Sequence, residues 1–303
     1  MENVRIRMFG RLEMMLGAER LRPFATRKSR SLFAYLLLYR DRCHPRDVLA
    51  GMFWGEFPEP VARKHLRDAL WRIRQVVAAI DRHGLQLEVE DRAVGVELDR
   101  QSWLDIREFE RSLGELDGHR AEDISVEQAS LLRRAVELYR ADLLEEVYED
   151  WCVYDRERLR VLGLDALHRL MRFHLRRQEW SIALLHGQRL LMADPMHEPV
   201  HRALMRCYAG LDNRTAAVKQ FQQCRKILRE ELEIDPAPDT VALYEQIRQF
   251  DVLEGAPPAS SREPRKAALE EALDRMRHAD RGLRRTRRDL RAGTEAVRRA
   301  LSD

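Results

Sequence analysis

The chain has 303 residues, 45% of them hydrophobic and 35% charged, with a net charge of +3. That is enough for about two domains with cores of their own, and no apolar run is long enough to span a membrane. Four scattered cysteines, Cys43, Cys152, Cys207 and Cys224, form no CxxC pair. They exclude a zinc knuckle or a disulfide framework and read as small buried hydrophobes. The first residues, MENVRIRMFG, carry no apolar signal core, so the expected location is the cytoplasm.

The small net charge hides a segregation. Residues 1–100 carry +5, residues 101–261 carry −7 and residues 262–303 carry +5. Basic segments suit polyanions, and an acidic helical middle suits contacts with proteins.

In chain order, Val4, Ile6 and Met8 alternate with polar partners as a strand does. A second strand is expected over 11–16, and Gly17 turns the chain back toward Arg20 and Leu21. Thr26 is placed to cap a helix over 27–39, with Leu32, Phe33, Leu36 and Leu37 facing inward. Arg27 and Lys28 stand beside the free N–H groups of that helix start, where they could hold a phosphate. A second helix follows Pro45, over 46–53. Pro60 opens a third, which is expected to run to about His83. Two alternating segments, 85–89 and 94–98, flank a Glu90-Asp91-Arg92 turn and make a hairpin.

The third helix holds the densest chemistry. Residues 61–77, VARKHLRDALWRIRQVV, contain five cations in seventeen positions. At about 100° per residue, Leu66, Ala69, Leu70, Ile73, Val77 and Ile80 share one side. Lys64, Asp68, Trp71 and Gln75 fall opposite, with Arg67 and Arg74 along one edge and Arg72 along the other. Alone, this is what an amphipathic helix with a solvated charged face looks like. The order of strands, three helices and hairpin gives it another meaning. In a winged helix-turn-helix the third helix enters the major groove and the hairpin is the wing. Arg63, Lys64, Arg67, Asp68, Trp71, Arg72 and Arg74 are then the expected base and backbone contacts. Thr26, Arg27 and Lys28 add a phosphate site, and Arg92 sits at the wing tip.

These stretches resemble a known family. RKSRSLFAYLLL at 27–38, DVLAGMFWG at 47–55, HLRDALWRIRQVV at 65–77 and WLDIREFE at 103–110 are similar to the SARP-type regulators. Those combine an OmpR-like winged helix with a bacterial transcriptional activation domain. The resemblance implies an activator that binds tandem DNA repeats as a side-by-side dimer, with the 55–60 loop facing RNA polymerase holoenzyme. One departure is in the wing, where the family often has Gly-Tyr and this chain has Gly95-Val96. Arg92 is therefore the better candidate for a wing contact.

From about Glu127 onward the pattern reads as uninterrupted helix. Leu170, Met171, His174 and Ala183 recur 34 positions later as Leu204, Met205, Tyr208 and Ala217, which is the tetratricopeptide period. EDWCVYDRERL at 149–159, LMADPMHEPVHRALM at 191–205 and the 221–247 segment also match the family. Trp151 and Trp180 read as core. His168, His174, His186, His197 and His201 have no accompanying carboxylate box, so no metal is expected. Residues 255–261 read as a linker. Beyond them Leu269, Met276, Leu283, Leu290 and Val297 recur every seven residues beside an arginine cluster at 281–291. The second apolar stripe that a coiled coil needs is poor, so this is an amphipathic basic helix.

The expected fold is mostly α. An α+β winged helix-turn-helix occupies 1–105, an all-α tetratricopeptide-like domain 106–252, a linker 253–262 and a basic helix 263–303. No phosphate loop, GxSxG elbow or HExxH box is present, so the chain is expected to be neither an enzyme nor a cofactor binder. The competing reading is a tetratricopeptide-like protein scaffold with a degenerate DNA-binding part.

Overall fold

The computed structural model describes residues 3–21, 24–80, 83–116 and 124–249. The linker and basic C-terminal helix expected beyond 252 lie outside the described residues. The chain divides into two compact units, one of residues 1–177 with 185–197, the other of residues 178–184 with 198 onward.

The first unit opens with the alternation of Val4, Ile6 and Met8, all fully buried. Strand β1 (Val4–Arg7) pairs antiparallel with β2 (Glu13–Leu16), and β2 with β3 (Glu19–Arg20). Helix α1 (Arg27–Leu38) starts at the expected cap, where Thr26 Oγ1 accepts from Ser29 N at 3.1 Å. Then come β4 (His44–Pro45), α2 (Arg46–Trp54) and α3 (Glu59–Val77). The hairpin is β5 (Leu85–Val89) and β6 (Ala93–Leu98), in register from Leu85↔Leu98 to Val89↔Val94.

Several features differ from what the sequence suggests. Helix α3 ends at Val77 rather than near His83, because Ile80 N donates to Val77 O and His83 N to Ile80 O, three residues back each time. That tightens the chain into a turn. Strand β4 joins β6 as a third wing strand. Strand β7 (Trp103–Leu104) pairs parallel with β1 and so completes the N-terminal sheet in the order β3-β2-β1-β7.

Helix α4 (Asp105–Gly114) follows β7 directly. The buried Asp105 accepts from Met8 N at 2.8 Å and Phe9 N at 2.9 Å through one oxygen, and from Ile106 N at 2.8 Å through the other. Helix α5 (Val126–Leu138) begins with a Ser125–Gln128 capping box. The helical pattern then breaks, against expectation, at 139–149. There Leu144 N donates to Met8 O, Gly10 N to Asp142 O and Glu145 N to Gly10 O. These residues satisfy the free end of the first strand, and Leu144 takes φ 48° to do so. A 3₁₀ turn, Asp150–Cys152, leads into α6 (Val153–Arg176). One continuous core therefore runs from Val4 through the winged helix to Leu159.

Helix α7 (Trp180–Ala193) begins in the second unit, which also holds α8 (Glu198–Gly210), α9 (Arg214–Leu232) and α10 (Pro238–Gln249). The 34-residue period is realised in burial: Leu170, Met171, Ala183, Leu204, Met205 and Ala217 are all buried. It is realised in the backbone too, since Gln178 and Asp212, 34 residues apart, turn at φ 56° and 58°. In the second unit Phe221 stacks on Tyr244 at 4.1 Å, and Glu198 Oε1 accepts from Ala237 N at 2.7 Å.

Trp151 is half-buried and edge-on to Tyr35 at 5.3 Å, and Trp180 lies against Gly210. Cys152, Cys207 and Cys224 are buried as expected. Cys43 is exposed, because it sits on the wing beside Glu88 rather than under it.

Candidate nucleic-acid interface

Helix α3 is set by its apolar stripe. Leu66, Ala69, Leu70, Ile73 and Val77 are 0–5% exposed, and Ile80 beyond the helix end is fully buried. Each fully buried aliphatic side chain contributes about 1.5–3 kcal/mol, so this stripe fixes which way the helix faces. Lys64, Arg67, Asp68, Arg74 and Gln75 are consequently exposed and Arg72 is half-buried. Trp71 is 64% exposed, a large apolar surface left uncovered.

Among the described residues Lys64, Arg67, Arg72 and Arg74 make no ion pair. Arg63 does: its Nε lies 3.0 Å from Asp47 on α2, and its Nη2 2.6 Å from Glu59 one turn back. All three side chains are more than half exposed, so the clamp is weak and can be opened.

The wing tip is tied to the start of α2. Glu90 N donates to Ala93 O, closing the turn, while Arg46 N donates to Arg92 O at 3.0 Å. The Arg46 guanidinium donates to Glu90 O at 3.3 Å. An open groove of about 820 Å³ results, lined by Arg63, Leu66 and Arg67 on one side, Asp91 and Arg92 on another, and Arg46 and Asp47 between them. The structure thus brings Arg92 together with the N-terminal half of α3. Arg46 and Asp47 were not singled out in the sequence. Glu59–Arg63 is legible there as an i,i+4 pair, but Asp47 reaches Arg63 only through the packing of α2 on α3.

Thr26, Arg27 and Lys28 sit elsewhere in the contact scheme. Thr26 spends its oxygen on the helix cap. Arg27 donates to Glu146 O at 3.1 Å and lies over the Tyr148 ring, and Lys28 is 4.0 Å from Glu149. These cations are already held by the segment between α5 and α6.

On α2 and the loop after it, Val48, Met52 and Phe57 are 42–52% exposed, with Phe57 against His65 at 5.0 Å. His168 and His197 bring their Nε2 atoms to 3.2 Å, and His174 stacks on His186. Among the described residues no group of three or more His, Cys, Asp or Glu converges as a metal site would, and no helix is long and apolar enough to cross a membrane.

Comparison with known proteins gives this geometry a family. Residues 104–248 match the bacterial transcriptional activator domain. The chain is 25% identical over 269 residues to the regulatory protein AfsR of Streptomyces griseus, covering 89% of this chain but 27% of that protein. It is 26% identical over 256 residues to the regulatory protein DnrI of Streptomyces peucetius, covering 82% of this chain and 93% of DnrI. Among solved structures, Mycobacterium tuberculosis EmbR, in a complex with a low-affinity phosphopeptide, shares the fold at a TM-score of 0.55 and 21% identity, over 90% of this chain and 72% of that one. The chain spans about a quarter of the length of AfsR and nearly all of DnrI. With its small N-terminal β-sheet region, its winged helix and its helical repeats, the chain is similar to the SARP-type transcriptional regulators, and its residues 104–248 match their bacterial transcriptional activator domain.

Proposed function

We propose that the chain is a sequence-specific DNA-binding regulator, an activator that sits as a dimer on direct repeats near promoters and contacts RNA polymerase in the cytoplasm. The observation that carries this reading is the outward face of α3. Four cations that make no ion pair among the described residues, Asp68 and a 64%-exposed tryptophan stand on a rigidly packed stripe, beside a groove that ends in Arg92. A helix of this kind fits a major groove, with arginine paired to guanine edges or phosphates and aspartate accepting from cytosine.

In this reading Arg67 and Arg74 take base edges or phosphates, Lys64 and Arg72 hold the backbone, and Trp71 packs against the groove wall. Arg63 joins once it leaves Asp47, and Arg92 meets the backbone or minor groove from the wing. A phosphate at Thr26, Arg27 and Lys28 has to displace Glu149 from Lys28, so that contact is the weakest of the set. The exposed Val48, Met52 and Phe57 supply an apolar surface for polymerase. Residues 1–105 are the DNA-binding part and the helical module follows them.

The test is selection of sequences from a random duplex pool by the full chain at near-physiological salt, beside an Arg67→Ala/Arg74→Ala chain. Enrichment of a spaced direct repeat by the first and not the second supports the reading, since each base contact is worth about 1–3 kcal/mol. No enrichment by the folded full chain overturns it and turns attention to protein partners of the helical repeats.

A further inference from the structure

A second cationic cleft lies in the first unit, and no residue of α2, α3 or the wing lines it. It measures about 420 Å³ and gathers Arg5 and Arg7 from β1, Arg111 from α4, and Arg134 and Arg140 from α5 and the residues just beyond it. The volume falls within the roughly 300–1,000 Å³ of small-ligand sites.

Five guanidinium groups facing one cleft repel one another unless they are neutralised. The acids present do this incompletely. Glu108 is engaged by Arg111 at 2.5 Å. Asp105, on the floor, already accepts from the Met8, Phe9 and Ile106 N–H groups. Arg140 turns its Nε to Glu137 O, a backbone oxygen, at 3.3 Å. The Glu137 carboxylate is then left to face Arg5, Arg7, Arg134 and Arg140, none of which forms an ion pair among the described residues. The cleft also has a planar wall: the Arg5 guanidinium lies over the Trp103 ring at 4.8 Å. Stacked guanidinium and indole planes are a surface on which a nucleobase stacks. Unpaired arginine forks are suited to phosphate oxygens.

We propose that this cleft binds a nucleoside diphosphate or triphosphate, its phosphates among Arg7, Arg134 and Arg140 and its base against the Arg5–Trp103 stack. A ligand there touches β1, α4 and α5 at once, so it clasps the N-terminal sheet to the first helices that follow it. The proposal rests on the cleft alone and stands whether or not α3 reads DNA.

The experiment is isothermal titration of the full chain with ADP, ATP, GDP and GTP, with adenosine and inorganic pyrophosphate as separate arms. At least one nucleotide is expected to bind about tenfold more tightly than adenosine and than pyrophosphate, and Arg5→Ala/Arg134→Ala to weaken it by about tenfold or more. The exposed Arg134, changed alone to Ala, gives a second variant that keeps its fold and loses part of the affinity. The Arg67→Ala/Arg74→Ala chain keeps nucleotide affinity unchanged. Absence of binding by every nucleotide overturns the proposal. So does pyrophosphate matching all of them, or binding that survives Arg5→Ala/Arg134→Ala but is lost in Arg67→Ala/Arg74→Ala.

Discussion

The Arg63 guanidinium stands 3.0 Å from the Asp47 carboxylate, so a cation on the outward face of α3 is held by an acid at the start of α2. If α3 meets DNA, that acid competes with phosphate for Arg63 and repels the backbone besides. Asp47→Ala is expected to tighten duplex binding about two- to fivefold, a surface-charge effect of less than about 1 kcal/mol. Arg63→Ala weakens it less than Arg67→Ala does, because Arg63 first gives up its acids. Duplex titration at fixed salt checks both, and weaker binding by Asp47→Ala would show that Asp47 positions Arg63 rather than withholding it.

Arg156 anchors the irregular segment that closes the first unit. Its guanidinium donates to Leu143 O at 2.7 Å, Leu144 O at 2.8 Å and Val147 O at 2.5 Å. Leu143 and Leu144 are fully buried, so their carbonyls have no water to turn to. Arg156→Ala is expected to cost about 2–4 kcal/mol in urea unfolding. Arg156→Lys recovers less than half, since one ammonium cannot span three carbonyls in a fixed fork. A lysine variant as stable as the parent chain contradicts this account.

Two buried groups set opposing pH dependences. Burial pushes the Asp105 carboxyl up from 3.8 to about 6, against its three N–H donors and Arg7. Between those values the folded chain keeps a proton that the unfolded chain has lost. The stability this supplies is whole below about pH 4 and disappears as pH rises through 6. Burial, then the charges of His174, Arg189 and Arg133, lower His186 from 6.5 to about 3. There the unfolded chain takes up the proton first, so its contribution is whole above about pH 6.5 and is lost as pH falls. His186→Leu is expected to remove about 2–3 kcal/mol of the acid-side loss between pH 7 and 4.5. Urea midpoints at the two pH values measure it, and an unchanged difference between them rules out this role for His186.

In the second unit a Cβ added at Gly210 runs into the indole ring of Trp180. Helix propensity favours alanine there by about 1 kcal/mol, but the ring is held half-buried. Gly210→Ala is expected to lower stability by about 1–3 kcal/mol, and Trp180→Leu to relieve most of that in the double variant. Thermal unfolding of the two single variants and the pair separates the clash from any general loss. Additive effects would mean that the two residues do not press on each other.

Local periodicity was enough for a large part of this molecule. The inward stripe of α3, the cap at Thr26 and the alternation in the Leu85–Val89 and Ala93–Leu98 strands depend on neighbours within a few residues, and the 34-residue repeat is one such local pattern occurring twice, so a single chain displays them. Most of the outward set on α3 followed, because a side chain on the far side of a buried stripe faces solvent; Arg63, drawn to Asp47, and the half-buried Arg72 depart from that. What the sequence could not show is every feature made by residues far apart in the chain. Pairing of β7 with β1, the break in the helix at 139–149, and the capture of Arg27 and Lys28 by the segment before α6 are of this kind. The cleft of five arginines is too, since Arg5 and Arg134 have no sequence relationship at all. Hydrogen bonds and charges act through space over a few ångströms, and only the packing of the first strand against α4 and α5 brings those groups within that range.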